Sequence, residues 1–311
     1  MASVPAIEIA GLGRDYGRLR AVDAVDLEVG AGTFFGFLGP NGAGKTTTIR
    51  MLTTLLHPSR GTARVAGLDI RDDPLGVRRR IGVVFQETTL DLDLTAEENL
   101  RFCTRLYGLS RRESAIRIDE ALDLFGLSDR RHARVRSFSG GMRRALDLAR
   151  GILHRPAILF LDEPTLGLDP AQRRRIWGFL QALCAQGSTT LFLTTHYLEE
   201  ADPCDAVAIV DHGRIVASGD PASLKRRLGR DRIDVTTDRP DEVAPRVREL
   251  TGTEPQRAAN RLSVFVEDAD PVLPLLLPLT HEGAEIGVSH PTLEDVFVDI
   301  TGRGRGEEPA G

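Results

Sequence analysis

The stretch GPNGAGKTT, residues 39–47, limits what this chain can fold into more than any other. It fits the spacing G-x-x-x-x-G-K-[ST], follows the apolar run TFFGFLG, and leads into a segment that reads as a helix from Lys45 to about Leu56. A strand that turns through glycines into a helix is the setting this spacing requires, and such a turn cradles phosphate. Gly39, Gly42 and Gly44 let the backbone wrap closely round an anion. The start of the helix adds a partial positive charge of about half a unit. Pro40, Asn41, Ala43 and Thr47 complete the loop, Lys45 reaches the phosphates, and Thr46 supplies a hydroxyl suited to Mg²⁺.

Lysine usage supports this reading. Of the 40 basic residues only Lys45 and Lys225 are lysines, so a chain that otherwise uses arginine places a compact ammonium inside the glycine turn. A planar guanidinium is broader and fits less readily between two phosphates.

The second chemical element is AILFLDEP, residues 157–164, an apolar strand whose tip carries two carboxylates. Beside a phosphate loop, Asp162 is placed to hold Mg²⁺ and Glu163 to polarise the attacking water, a role worth roughly 10²- to 10⁴-fold in rate.

The rest of the chain alternates. Residues 5–30 suggest a small antiparallel sheet, and RIGVVFQE another strand. Helices opening at TAEE and SRRE, each a capping box, form a helical insertion over about 90–137. Then come a helix after Gly141, the strand AILFLDE, a helix after Pro170, the strand TTLFLTT, a helix from about Tyr197, and a hairpin over DAVAIVDHGRIVASG. Strands alternating with helices imply a mostly parallel sheet, hence an α/β domain over 5–225 with an antiparallel β subdomain. Beyond SLKRRLGRD, the strands RIDVTTD, RLSVFVED and AEIGVSH predict a small C-terminal α+β domain over 231–302. The last residues, 303–311, are polar and glycine-rich and predict a disordered tail.

A length of 311 residues accommodates one large domain and a smaller one, and 41% hydrophobic with 27% charged residues is an ordinary globular balance. The net charge of −5 gives no footing for nucleic-acid binding. Three widely spaced cysteines, Cys103, Cys184 and Cys204, read as reduced thiols. The amino terminus lacks a basic start followed by an apolar core, and PVLPLLLPL at 271–279 is too short to span a bilayer. The expectation is a cytoplasmic location, with any membrane role exercised through a partner.

In this order the motifs resemble the nucleotide-binding domain of ATP-binding cassette (ABC) proteins over about residues 5–220. FSGGM resembles that family's signature loop with Ser139, Gly140 and Gly141; VVFQE its Q-loop with Gln86; LGLDP its D-loop with Asp169; LTTHYLEEAD its switch region with His196. The resemblance implies that Tyr16 stacks on adenine, that Gln86 serves the catalytic and Mg²⁺ site, and that His196 contacts the transferred phosphoryl group. It also implies that the signature loop of one cassette covers the ATP held by another, so that the chain pairs with a second copy or a similar subunit. Phe138 and Met142 stand where the family commonly has leucine and glutamine, and both leave the serine and glycines intact.

GVSHPTLEDVFVDITG, 287–302, resembles the end of ATP-binding subunits in the daunorubicin-resistance exporter branch, while Thr292 also caps an amphipathic helix. The implied function is an ATPase subunit powering export of a drug-like or lipophilic compound through a separate membrane permease. The alternatives are an importer subunit or a soluble, non-transport ABC ATPase.

Overall fold

FFGFL, ILFLD and TLFLTT carry apolar residues on both faces, and such strands need cover above and below, as in the interior of a parallel sheet. The computed structural model describes residues 4–185, 187, 189–229 and 231–302. They fall into two compact units, one running to His196 and including Cys204–Ile215, the other made of Tyr197–Pro203 and the chain from Val216 on.

The first unit opens with β1 (Ile7–Tyr16), β2 (Leu19–Val29), β3 (Phe34–Leu38), α1 (Lys45–Leu52), β4 (Arg60–Val65), β5 (Leu68–Asp69), α2 (Pro74–Arg80) and β6 (Ile81–Val84). It continues through α3 (Ala96–Leu106), α4 (Arg111–Leu124), α5 (Gly140–Ile152), β7 (Ile158–Asp162), α6 (Pro170–Ala185), β8 (Thr190–Thr195), β9 (Ala206–Asp211) and the start of β10 (Arg214–Gly219). One sheet is antiparallel in the order β2-β1-β4-β5; the other has the order β10-β9-β3-β8-β7-β6, with β9, β3, β8, β7 and β6 mutually parallel. Phe37 and Phe160 pack on Phe192 at ring-centre distances of 5.6 and 5.4 Å, joining three neighbouring strands in one core. Register decides the functional edge: Leu38 lies opposite Thr195, and Thr194 opposite Asp162. The phosphate turn, the carboxylate pair and His196 therefore leave the sheet at the same carboxyl ends, where ligands gather in open α/β sheets.

The insertion forms as two capped helices. Thr95 and Ser110 accept from the backbone N–H of Glu98 and Glu113, whose carboxylates return to the cap N–H groups. A bridge between Thr95 and Arg134 closes the insertion. Two helices are shorter than their patterns predict. α1 stops at Leu52 instead of about Leu56, because Thr54 turns to a φ of 62° and the amides of Leu55 and Leu56 fold back to Arg50 O. In place of a helix from Tyr197 there is one 3₁₀ turn, Leu198–Ala201, ended by Pro203, which has no N–H to continue it.

The second unit contains α7 (Pro221–Arg226), β11 (Asp231–Thr236), α8 (Pro240–Thr251), β12 (Gln256–Ala258), β13 (Arg261–Val266), α9 (Leu273–Leu276), β14 (Glu285–Ser289) and α10 (Leu293–Thr301). Its sheet has the order β12-β13-β11-β14, all antiparallel, over a core that includes Ile233, Val235, Val247, Leu262 and Val264. The division differs from a boundary near 223–231, since the turn at Leu198–Ala201 packs with α10 and so groups with the later residues. Residues 303–311 lie outside the described residues, and with them the expected tail. Among the described residues no helix is long and apolar enough to cross a membrane.

The TLEDVF segment has a structural account. Asp295 is the third helical residue of α10 and completes a capping box with Thr292. Its carboxylate also receives Arg232 Nη1 at 2.8 and 3.0 Å, while the other edge of the same guanidinium binds Asp234. Arg232 and Asp295 are both buried, so the pair ties α10 to β11. Asp295→Ala removes the box and leaves Arg232 short of a partner, and should lower unfolding stability by about 3 kcal/mol in urea denaturation. A loss below about 0.5 kcal/mol, the scale of an ordinary surface change, would show that the pair holds nothing.

Candidate functional site

The phosphate turn has the shape its glycines predict. A Cβ on Gly39 would stand 2.2 Å from Val210 O. On Gly44, at a φ of +99°, it would stand 2.4 Å from Ala21 O, so both positions need glycine to bring backbone against backbone. Lys45, the first residue of α1, is 5% exposed and folds back over the turn, its ammonium donating to Gly39 O at 2.8 Å and Pro40 O at 3.0 Å.

The same ammonium lies 3.3 Å from Glu163 Oε1. Burial pulls its pKa below the usual lysine range, and the Glu163 carboxylate beside it opposes that pull. Glu163 Oε2 lies 3.2 Å from His196 Nδ1, so one carboxylate bridges the lysine and the histidine. Its backbone is unusual, with a φ of 47° on a residue that carries a side chain. Such conformations cost about 1–3 kcal/mol and persist where their surroundings hold them.

Asp162, the last residue of β7, is buried and accepts from Thr46 Oγ1 at 3.3 Å and Thr194 Oγ1 at 2.6 Å. Two hard oxygen donors beside a phosphate turn suit Mg²⁺. Thr194 was not foreseen from the sequence. Its hydroxyl also accepts from the Glu163 N–H at 3.2 Å, and the only cue was its place two residues before His196 on a strand paired with ILFLD.

Other expected residues stand apart. Gln86 is exposed in the loop after β6, and among the described residues no hydrogen bond or ion pair joins it to the Lys45–Glu163 cluster. Tyr16 ends β1 with its ring 44% exposed and the Arg14 guanidinium 4.9 Å from the ring centre. Ser139 caps α5, accepting from Met142 N at 3.2 Å, while Phe138 before it is buried. Asp169 accepts from the amides of Ala171 and Gln172 at 2.9 and 2.8 Å, which is the cap of α6.

A glycine turn, a buried lysine, an Asp-Glu strand tip and a histidine just past the end of the next strand define a P-loop ATPase. Residues 22–166 match the ABC transporter family, and the chain belongs to the ATP-binding proteins of that family. It binds and hydrolyses ATP. It is 43% identical to the daunorubicin/doxorubicin resistance ATP-binding protein DrrA of Streptomyces peucetius, over 96% of this chain and 92% of that one. It is 38% identical to the Nod factor export ATP-binding protein I of Ralstonia nicotianae, over 97% and 96%. A dimeric bacterial ABC transporter cassette superposes with a TM-score of 0.63 at 26% identity, covering 69% of this chain and 98% of that one.

Proposed function

We infer that the chain is the ATP-hydrolysing subunit of an exporter for a drug-like or lipophilic compound, working with Mg²⁺, a second cassette and a separate membrane permease. The observation that carries the hydrolytic part is the bridge from Lys45 through Glu163 to His196 beside the Thr46–Asp162 pair. The export part is supported by relatives named for drug resistance and Nod factor export that match nearly the whole chain.

Roles follow from position. Residues 5–225 act as the nucleotide-binding domain, and 231–302 as a separate C-terminal one. The loop 39–47 holds the phosphates and Tyr16 the adenine. Thr46 and Asp162 hold Mg²⁺, joined by Gln86 when its exposed loop turns inward; the ion supplies charge neutralisation at the phosphates. Glu163 orients water and takes its proton, and His196 contacts the departing phosphoryl group. Asp169 reaches the dimer interface from the start of α6.

The second cassette follows from the signature loop. Ser139 is exposed, and a Cβ on Gly140 would meet nothing within 4 Å. Among the described residues no hydrogen bond ties Ser139, Gly140 or Gly141 to Lys45 of the same chain, and an open cap with a hydroxyl suits a phosphate brought by a neighbour. Ser139→Ala should cut turnover about 10²-fold, as removal of one oxyanion donor does, and leave ATP affinity of the isolated subunit unchanged. Equal loss of both would return Ser139 to a purely capping role.

The permease has an apolar landing in Phe102 and Leu106 of α3, 62% and 71% exposed. The direction of transport is tested in inverted vesicles carrying the chain with its permease and daunorubicin as probe. ATP-driven accumulation inside is the expected result; ATP-driven loss from the vesicles would mean import.

A further inference from the structure

Behind the carboxylate pair sits a charged group with no role so far. Arg144, in α5 five residues after Ser139, is 7% exposed. Its Nε donates to Pro164 O at 2.7 Å, Nη2 to Asp162 O at 3.2 Å and Glu163 O at 3.1 Å, and Nη1 to Phe85 O at 2.5 Å. One rigid fork thus spans three successive carbonyls on one side and the residue before Gln86 on the other.

The same helix carries a second link. Asp147, 1% exposed, has Oδ2 3.9 Å from Arg144 Nη1 and Oδ1 2.7 Å from Arg150 Nη2. Arg150 Nη1 in turn donates to Thr89 O at 3.1 Å. An Arg-Asp-Arg ladder on α5 therefore grips both ends of the Gln86 loop and the turn that carries Glu163. That turn needs a restraint, because Glu163 is held at a φ its side chain disfavours. Without the fork, the buried Pro164 carbonyl would also lose the 2.7 Å bond from Nε, while Glu163 O would keep the Leu166 N–H at 3.2 Å.

We propose that Arg144 is the positioning residue of the hydrolytic step. It holds the Glu163 backbone in its left-handed conformation and ties it to the Gln86 loop, so that displacement of that loop moves the carboxylate; Asp147 and Arg150 fix its aim. The proposal rests on Glu163 being the base.

Arg144→Lys keeps the charge and loses the planar fork. In the full-length protein, ATP affinity, read by displacement of a fluorescent ATP analogue, should stay within about twofold while kcat falls about 10²-fold, the scale of a roughly 1 Å misplacement of a catalytic group. In a Glu163→Gln background the same change should add less than about threefold to the single-turnover loss, since the group it positions is already disabled. Parallel loss of affinity and kcat, or full multiplication of the two losses, overturns the positioning role. Inert Glu163→Gln beside fully active Arg144→Lys overturns this proposal alone, whereas active Glu163→Gln overturns the base assignment and this proposal with it. Should Arg144→Lys not fold, Asp147→Asn keeps the volume and the fork; kcat should then fall about tenfold at unchanged affinity, in the range seen when a supporting partner is lost, and an unchanged kcat overturns the proposal.

Discussion

Glu163→Gln should hold ATP and all but cease to hydrolyse it. The amide has the shape of the carboxylate, so contacts with Lys45 and His196 at 3.3 and 3.2 Å keep their spacing. What disappears is the ability to accept a proton from water, a loss of about 10²- to 10⁴-fold in phosphate release. The phosphate turn is built from residues 39–47 and is untouched, so nucleotide affinity should remain. One negative charge fewer beside the γ-phosphate also favours the state in which two cassettes enclose ATP, which gel filtration with and without nucleotide will show as an ATP-dependent dimer. Turnover within about threefold of the unaltered protein would take the base role away from Glu163.

Lys45→Ala should lose ATP itself. The ammonium sits inside the turn on two carbonyls and one carboxylate, already 95% shielded from water, so no solvent or neighbouring lysine replaces it. Truncating one member of a buried, hydrogen-bonded charge pair costs about 2–5 kcal/mol. At 1.4 kcal/mol per tenfold, that weakens ATP binding by roughly 30- to 3,000-fold, readable by titration calorimetry. The loss should also leave Glu163 facing the phosphates without its counter-charge, which deepens it. Unchanged affinity would mean that the glycine turn is not the phosphate site.

The two variants fail in different ways because the site has two layers, and the layers were not equally visible in the sequence. The phosphate turn, the Asp-Glu strand tip and both capping boxes depend on residues within a few positions of one another, so local pattern reveals them. Thr194 and Arg144 depend on which strand lies beside which. Arg144 in particular falls in an arginine-rich stretch that reads as the solvent face of an amphipathic helix, and only the packing of α5 on β6, which brings its side chain to the carbonyls at the end of β7, turns it inward. Its signal was an arginine and an aspartate three apart amid ALDLA, charges in an otherwise apolar run. The missing helix at Tyr197 shows the reverse error: EEAD has helix-forming residues, but Pro203 cuts the segment to a single turn. The extent of the second unit was hidden for a third reason, since compactness follows contacts and the composition of SLKRRLGRD marks only a polar stretch of chain.

The near absence of lysine has a practical consequence for chemistry in solution. Amine-directed reagents, whether acylating probes or cross-linkers, find two side-chain targets in the whole chain. One, Lys225, lies at the surface of the second unit with Asp202 3.1 Å away; the other is sealed in the phosphate turn. The reactivity of Lys45, read against Lys225 in the same sample as internal standard, therefore makes an intrinsic gauge of how often the turn opens.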